Sequence, residues 1–295
     1  MDDQHLALRR QHVCSTDAPA ILGLSRFKSA IDVFAEKVGL GEAVEMSERM
    51  RWGLRLEQAL ADAYQEESGR PSEIPAQPFI ARDDLGYPAG CSPDRMTVVD
   101  GAKAVLELKT TSVYVEDADD LPEEWMVQVG HQMLVLDVPV AVLAVLSMSR
   151  GPSFKWFDLE RRTGFEQHLV DREGSFWHDH VLTGVAPEPD GSEASLRAIH
   201  RLHPSEIPGN VVELPGELIP LVDAWEAAQA QMRESERIVD DARARVMMAM
   251  GPSEIGIMPD GRRFTFKTQA GATYTVTREP KRVLRRAKAE GSRGR

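Results

Sequence analysis

The chain has 295 residues, 35 Lys+Arg against 47 Asp+Glu, and a formal net charge of −12. Hydrophobic residues at 42% and charged residues at 28% exclude a fibrous or disordered class and leave ample material for a core. The acidic balance excludes coating of nucleic acid by bulk charge, though not an enzyme that holds DNA in a local basic groove. With only Cys14 and Cys91, the chain cannot build a disulfide framework, a four-cysteine zinc site or a cysteine-ligated iron–sulfur cluster. The longest apolar run, Val138 to Met148, is too short to cross a bilayer. The N-terminal MDDQHLALRRQ lacks the basic-then-apolar order of a secretory signal. The expectation is a cytoplasmic protein with no membrane partner.

Thr16 and Asp17 before Ala20, Ile21 and Leu22 predict a helix start, with Gly23 ending a short helix. A second helix is expected over about 30–38, stopping at Gly39. A longer one covers 48–67, with Leu56, Leu60, Ala63 and Tyr64 as its buried stripe and Gly69 and Pro71 ending it. From Phe79 to Leu108 the period becomes strand-like, punctuated by Gly86, Pro88, Asp100 and Gly101. Pro122 opens a helix over about 123–136. The apolar segment 138–146 reads as a strand buried on both faces. An antiparallel neighbour at 154–159 and a helix at 163–183 follow.

The stretch GVAPEPDG, 184–191, is a linker by composition. The expected division is a main domain over 1–184, a linker over 185–215, and a C-terminal region over 216–295. That last region is expected to hold a long helix over 216–250, exposed on one side, and a hairpin of 262–266 with 272–277 around Gly271. A basic tail then carries Lys281, Arg282, Arg285, Arg286, Lys288, Arg293 and Arg295 against Glu290. The tail fits either a DNA-tracking segment or a solvated terminus. No P-loop or dinucleotide-binding glycine pattern occurs.

The chemistry concentrates in Ser92-Pro93-Asp94 and Leu106-Glu107-Leu108-Lys109. Asp100-Gly101 is a strong signal for a two-residue hairpin turn. That turn pairs Val99 with Ala102, Thr97 with Ala104, and Asp94 with Glu107. Side chains alternate along a strand, so Lys109 shares the face of Glu107, while Leu106 and Leu108 point the other way into a core. Two close carboxylates repel unless a proton or a cation lies between them. Hard oxygen ligands at that spacing suit Mg²⁺ or Mn²⁺, and a lysine beside them can orient water or offset charge on a phosphate. This is the arrangement of metal-dependent phosphodiester hydrolysis. On spacing alone, the same residues also fit a solvated strand face.

With these motifs the chain resembles the lambda-type exonuclease family of YqaJ-like viral recombinases, a branch of the PD-(D/E)XK nucleases. Pro93-Asp94 and Glu107-Leu108-Lys109 match its signature. Trp52-Gly53 followed by Glu57 is similar to its W-G-x-x-x-E helix, and Trp125-Met126-Val127-Gln128-Val129 to its A-Q-V helix. Ser15-Thr16-Asp17 through Ile21-Leu22-Gly23 matches its S-D-x-x-x-I-L-G opening. The match runs from about Arg9 to Thr183, and its departures are Thr16 for serine and Arg95 for the small residue after Pro-Asp.

The resemblance implies an α/β (α+β) restriction-endonuclease-like core: a central mixed sheet flanked by helices, with a helical and hairpin extension. It implies Asp94, Glu107, Glu57 and the Leu108 carbonyl as Mg²⁺ (or Mn²⁺) ligands. Asp94, Glu107, Lys109, Gln128 and Glu57 become the catalytic set. Arg9, Thr16 and Ser92 become a pocket for a 5′-phosphate, which suits a guanidinium fork and two hydroxyls. Met50 becomes an apolar wedge for the duplex end, a position equally suited to helix-core packing. Without the family, Glu57 reads as a surface helix acid, and Gln128, His131 and Gln132 as one polar helix face; His131 is read as structural.

The implied activity is 5′-to-3′ exonuclease digestion of double-stranded DNA that leaves 3′ overhangs. The implied partners are duplex DNA with a 5′-phosphate, a single-strand annealing protein, and further copies in a trimeric or tetrameric ring. Two other readings are an endonuclease on the same fold and a non-catalytic DNA-binding phage protein. The intact Asp94, Glu107, Lys109, Glu57 and Gln128 disfavour the latter. An iron–sulfur nuclease would need cysteines that the chain lacks.

Overall fold

The computed structural model describes residues 3–40, 46–149, 151–273 and 282–286, and the chain divides into one unit over 1–204 and a second over 205–295. In the first unit, α1 (Asp3–Gln11) leads into β1 (Val13–Cys14), the short α2 (Ala18–Ile21), α3 (Ala30–Lys37) and the long α4 (Glu48–Ser68). Then come β2 (Ile80–Arg82), β3 (Ala89–Cys91), β4 (Arg95–Val99), β5 (Ala102–Thr111), α5 (Glu123–Leu136), β6 (Val140–Ser147), β7 (Ser153–Glu160) and α6 (Thr163–Phe176). Local chemistry sets several bounds. Ser29 and Asp32 form a capping box for α3, Ser47 caps α4, and Gly69 ends α4 in the left-handed region.

Four strands make a mixed sheet in the order β4-β5-β6-β7, with β5 and β6 parallel and the outer pairs antiparallel. A smaller sheet has the order β1-β3-β2. Asp100 at φ 50 and Gly101 at φ 83 form the hairpin turn. Both central residues at positive φ are what a tight two-residue turn between twisted strands needs. The observed register pairs Val99 with Ala102, Thr97 with Ala104 and Arg95 with Leu106, which is the register expected from Asp100-Gly101.

Alternation then sorts the sheet's two faces. Leu106 and Leu108 pack with Leu60, Ala61 and Tyr64 of α4, while Val105 packs with Val129 and Met133 of α5. Helix α5 is buried over most of its circumference, from Val127 to Val135. Gly130 lets α6 approach it: a Cβ there would lie 2.5 Å from the Phe165 ring. The result is a mixed α/β fold, a sheet held between helices.

Asp17 occupies the N-cap position of α2 but makes no cap bond. Its carboxylate instead accepts from the Cys14 amide at 2.9 Å, Lys28 Nζ at 2.7 Å and Lys37 Nζ at 2.6 Å. Lys37 Nζ also donates to the Arg9 carbonyl at 2.6 Å. A fully buried carboxylate thus fastens the end of α1 to α2 and α3.

The structure corrects two expectations. The segment expected as linker, 185–215, contains α7 (Glu193–Leu202), whose Ala194 and Ala198 are buried and whose Arg201 pairs with Asp32 of α3. Its amphipathic period was masked by the Pro- and Gly-rich stretch before it. The helix expected over 163–183 is α-helical to Phe176 and closes in a π-helical turn, Trp177–Val181. In the second unit, β9 (Arg263–Thr265) pairs with the earlier β8 (Ile255–Ile257), a strand that was not expected. The turn between them runs through Pro259-Asp260-Gly261, with Gly261 at φ 88. Residues 274–277 lie outside the described residues, as do Lys281, Lys288, Arg293, Arg295 and Glu290 of the basic tail. Of its described members, Arg286 pairs with Glu226 of α8 (Ile219–Met250) at 2.6 Å. Helix α8 has no buried residue on any side. Among the described residues, no helix is long and apolar enough to cross a membrane.

Burial alone would raise the Asp17 carboxyl, and Lys28 and Lys37 override it, holding the group well below the usual carboxylate range. Such a group contributes stability that is present above its unfolded-chain value, about 4, and lost as pH falls toward its folded value. Asp17→Asn leaves two lysines without their buried partner and is expected to cost about 3–5 kcal/mol at pH 7. Urea denaturation at a series of pH values should show the gap between variant and parent closing in acid.

Candidate active site

Glu107 sits mid-strand in β5 and is 3% exposed, so its charge has to be matched by nearby donors. Three side chains do so. Lys109 Nζ donates to Oε1 at 2.6 Å, Gln128 Nε2 to Oε1 at 2.6 Å, and Gln132 Nε2 to Oε2 at 2.8 Å. Gln128 Oε1 in turn accepts from Lys109 Nζ at 2.8 Å. Lys109 lies two residues along β5 on the same face, and Gln128 and Gln132 lie one turn apart on the α5 face that packs there. The parallel β5-α5-β6 crossover is what lays α5 over Glu107.

Asp94 lies just beyond the start of β4, at the register position facing Glu107. Its Oδ2 accepts from the Leu108 amide at 2.9 Å. Burial, followed by the facing Glu107, pushes its carboxyl up to about 8. Two acids so placed favour one proton or one cation between them. Glu57, on α4, is paired with Arg95. Arg95 is 7% exposed and also donates to the Asp94 carbonyl at 2.6 Å and to Gln58 Oε1 at 3.1 Å. Among the described residues, no three His, Cys, Asp or Glu side chains gather as a ready metal cage.

A second cluster forms at α1. Arg9 Nη2 donates to Thr16 Oγ1 at 2.8 Å, and Ser92 Oγ lies 3.3 Å from His5 Nε2. Arg9 and His5 belong to one helix, so α1 brings the arginine beside Thr16 and reaches Ser92 through His5. Met50 is 48% exposed on the first turn of α4, which removes the helix-core reading of that residue. Around it, Arg49 lies over the Phe27 ring at 5.3 Å and Arg55 over Trp52 at 5.2 Å, with Arg51 also exposed. This is a local basic and aromatic surface in an acidic chain.

His131 is wholly buried, with Nδ1 at 2.9 Å from Glu173 and Nε2 at 3.1 Å from the Gly90 carbonyl. Tyr87 donates to the same Glu173 at 2.7 Å. Burial alone would lower His131, and Glu173 overrides it, so the ring is held above its ordinary value. It braces β3 against α5 and α6, and its hydrogen bonds run to Glu173 and Gly90, in keeping with a structural role. Two residues escaped the sequence reading as site members. Gln132 was visible only as part of a polar face, four residues after Gln128. Arg95 appeared only as a departure from a motif.

Residues 4–139 match the model of the YqaJ-like viral recombinase domain. The chain is similar to the YqaJ protein of Bacillus subtilis (strain 168), with 28% identity over 261 residues that cover 87% of this chain and 80% of that one. Among solved structures it is similar to LHK-Exo in complex with dAMP, at a TM-score of 0.50 and 13% identity over 62% of this chain and 94% of that one. It is also similar to an alkaline exonuclease, LHK-Exo, from Laribacter hongkongensis, at a TM-score of 0.47 and 14% identity with the same coverage. At 13% identity the first structural likeness bears on the fold.

Gln132→Leu keeps the volume but leaves Glu107 Oε2 without its amide donor in a buried site. It is expected to lower stability by about 1–3 kcal/mol, read as a shifted urea midpoint with an unchanged slope. A midpoint equal to the parent's would show that Glu107 does not depend on this donor.

Proposed function

We propose that this chain, which carries a YqaJ-like viral recombinase domain over residues 4–139, is a metal-dependent nuclease that digests one strand of double-stranded DNA from its 5′ end and leaves a 3′ overhang. The observation that carries this reading is the Asp94–Glu107 opposition, with Lys109 and Gln128 hydrogen-bonded to Glu107. Two hard carboxylates, beside a Leu108 backbone already turned to Asp94, fit Mg²⁺, with Mn²⁺ able to substitute. A bound ion of this kind supplies Lewis-acid polarisation of the phosphate and a more acidic water. Lys109 offsets negative charge that builds on the phosphate, and Gln128 holds lysine and glutamate in register. Gln132 fixes the remaining Glu107 oxygen from behind.

Arg9, Thr16 and Ser92 supply a guanidinium and two hydroxyls for a terminal phosphate monoester. The exposed Arg49, Arg51 and Arg55, with Phe27, Met50 and Trp52, offer phosphate contacts and apolar faces to a duplex end. A homo-oligomeric ring around DNA and a single-strand annealing protein that takes up the 3′ overhang complete this reading.

The test is digestion of end-labelled duplexes with Mg²⁺, followed on denaturing gels. Asp94→Ala and Glu107→Ala are expected to abolish cleavage while the fold persists by circular dichroism. Lys109→Ala is expected to bind duplex and to lose about two or more orders of magnitude in rate. Substantial turnover by either carboxylate variant, or full activity in EDTA, would sink the metal-dependent mechanism.

Polarity is read on the same gels. A 5′-phosphorylated end is expected to be digested faster than a 5′-hydroxyl end, and Arg9→Ala to remove most of that preference by loss of a charge-assisted contact. Equal rates on both ends by the unmodified protein would refute the phosphate pocket, and digestion from 3′ ends would refute the polarity.

A further inference from the structure

Sheet alternation places the acids of this site on two sides. Glu107 faces α5, as its bonds to Gln128 and Gln132 record, whereas Arg95 pairs in register with Leu106, whose side chain packs toward α4. Glu57 rides on α4 and meets Arg95 there. The Arg95 guanidinium has little freedom to leave, since it also donates to the Asp94 carbonyl and to Gln58 and is nearly buried. The half-buried Glu57 carboxylate, met by one nitrogen of this nearly buried guanidinium, is one half of an internally neutral pair and has little charge left for a cation.

The charges of the site agree with this. With Glu57 neutralised by Arg95 and Lys109 lying against Glu107, the remaining negative charge is that of Asp94 and part of Glu107. One divalent ion satisfies it, and a second would leave an excess of positive charge before any phosphate arrived. Mg²⁺ is commonly held by one or two carboxylates, with waters and substrate phosphates completing its shell.

We propose that Arg95 withholds Glu57 from the metal shell, so that the site takes a single divalent cation on Asp94 and Glu107, with Glu57 acting as a positioning residue that anchors α4 to the start of β4. This rests on the metal-dependent reading above. It reassigns Glu57 from a ligand to a brace and gives Arg95 a task that the family's small residue at that position could not perform.

The test counts ions rather than turnover. The full chain is titrated with Mn²⁺ without DNA, by calorimetry and by the loss of the free-ion paramagnetic signal. One ion per chain is expected, and none in Asp94→Asn. Glu57→Gln should still bind one ion, its affinity changed by less than about tenfold, the lower end of what loss of an outer-shell partner costs. Arg95→Ala, by releasing Glu57, should add a second ion or raise affinity by about tenfold or more, and Arg95→Ala with Glu57→Gln should return to the parent's value. Arg95→Lys, which retains a cation, should bind one ion and carries the comparison if the alanine variant melts early. Two ions in the unmodified protein, or loss of binding in Glu57→Gln, would overturn the assignment. No Mn²⁺ bound by the unmodified protein, or unaltered binding in Asp94→Asn, would instead sink the metal-dependent reading and this assignment with it.

Discussion

A carboxylate buried in the middle of a strand imposes conditions on everything around it. Glu107 lies where β5 is covered by α5, and a bare charge there would cost several kcal/mol. The fold meets that cost with a lysine from the same strand and two amides from the covering helix. Each donor fixes another element. Lys109 requires the strand to stay extended beyond Glu107, and the two glutamines require α5 to cross at one rotation and depth. Gly130 permits that depth on the far side, where Phe165 closes in. Asp94 is the group that this arrangement leaves unneutralised, and its raised carboxyl is the electrostatic mark of the site.

The second organising centre is Asp17, which works by the opposite logic. Glu107 is matched by one lysine and two neutral amides, whereas Asp17 is enclosed by two lysines and a backbone amide and has no exposure. Because Lys37 also reaches the Arg9 carbonyl, the helix that carries Arg9 is anchored by a buried ion cluster. One acid thus serves position, and the other belongs to the candidate site.

Much of this was legible in the residues. The Asp100-Gly101 turn carried the register, and the register carried the facing of Asp94 and Glu107, because side-chain parity follows once a turn is placed. Helix bounds at Gly39, Gly69 and Pro122 followed from backbone chemistry. Other features depend on contacts between distant segments and have no local signature. The pairing of Arg95 with Glu57 joins β4 to α4, and alternation along either element alone does not reveal it. Gln132 has the spacing of a helix face but needs the strand beneath it to become a donor. α7 was obscured by the proline-rich stretch before it, and β8 is a three-residue Ile-Gly-Ile pattern, too short to stand out as a strand.

The parallel pairing of β1 with β3 ties Val13 and Cys14 to Ala89 and Gly90, and so closes a long stretch of chain that includes α2, α3 and α4. The cluster around Glu107, by contrast, is drawn from β4, β5 and α5, which follow one another directly. Loop-closure entropy grows with the logarithm of the enclosed length, so the two halves of the candidate site are unequal in conformational cost. The acids, lysine and glutamines assemble from near neighbours in the chain, while the Arg9 side of the molecule is held against a larger entropic pull. The buried Asp17 cluster lies on that long closure, so weakening it would loosen the grip on a strand end while leaving the arrangement around Glu107 in place.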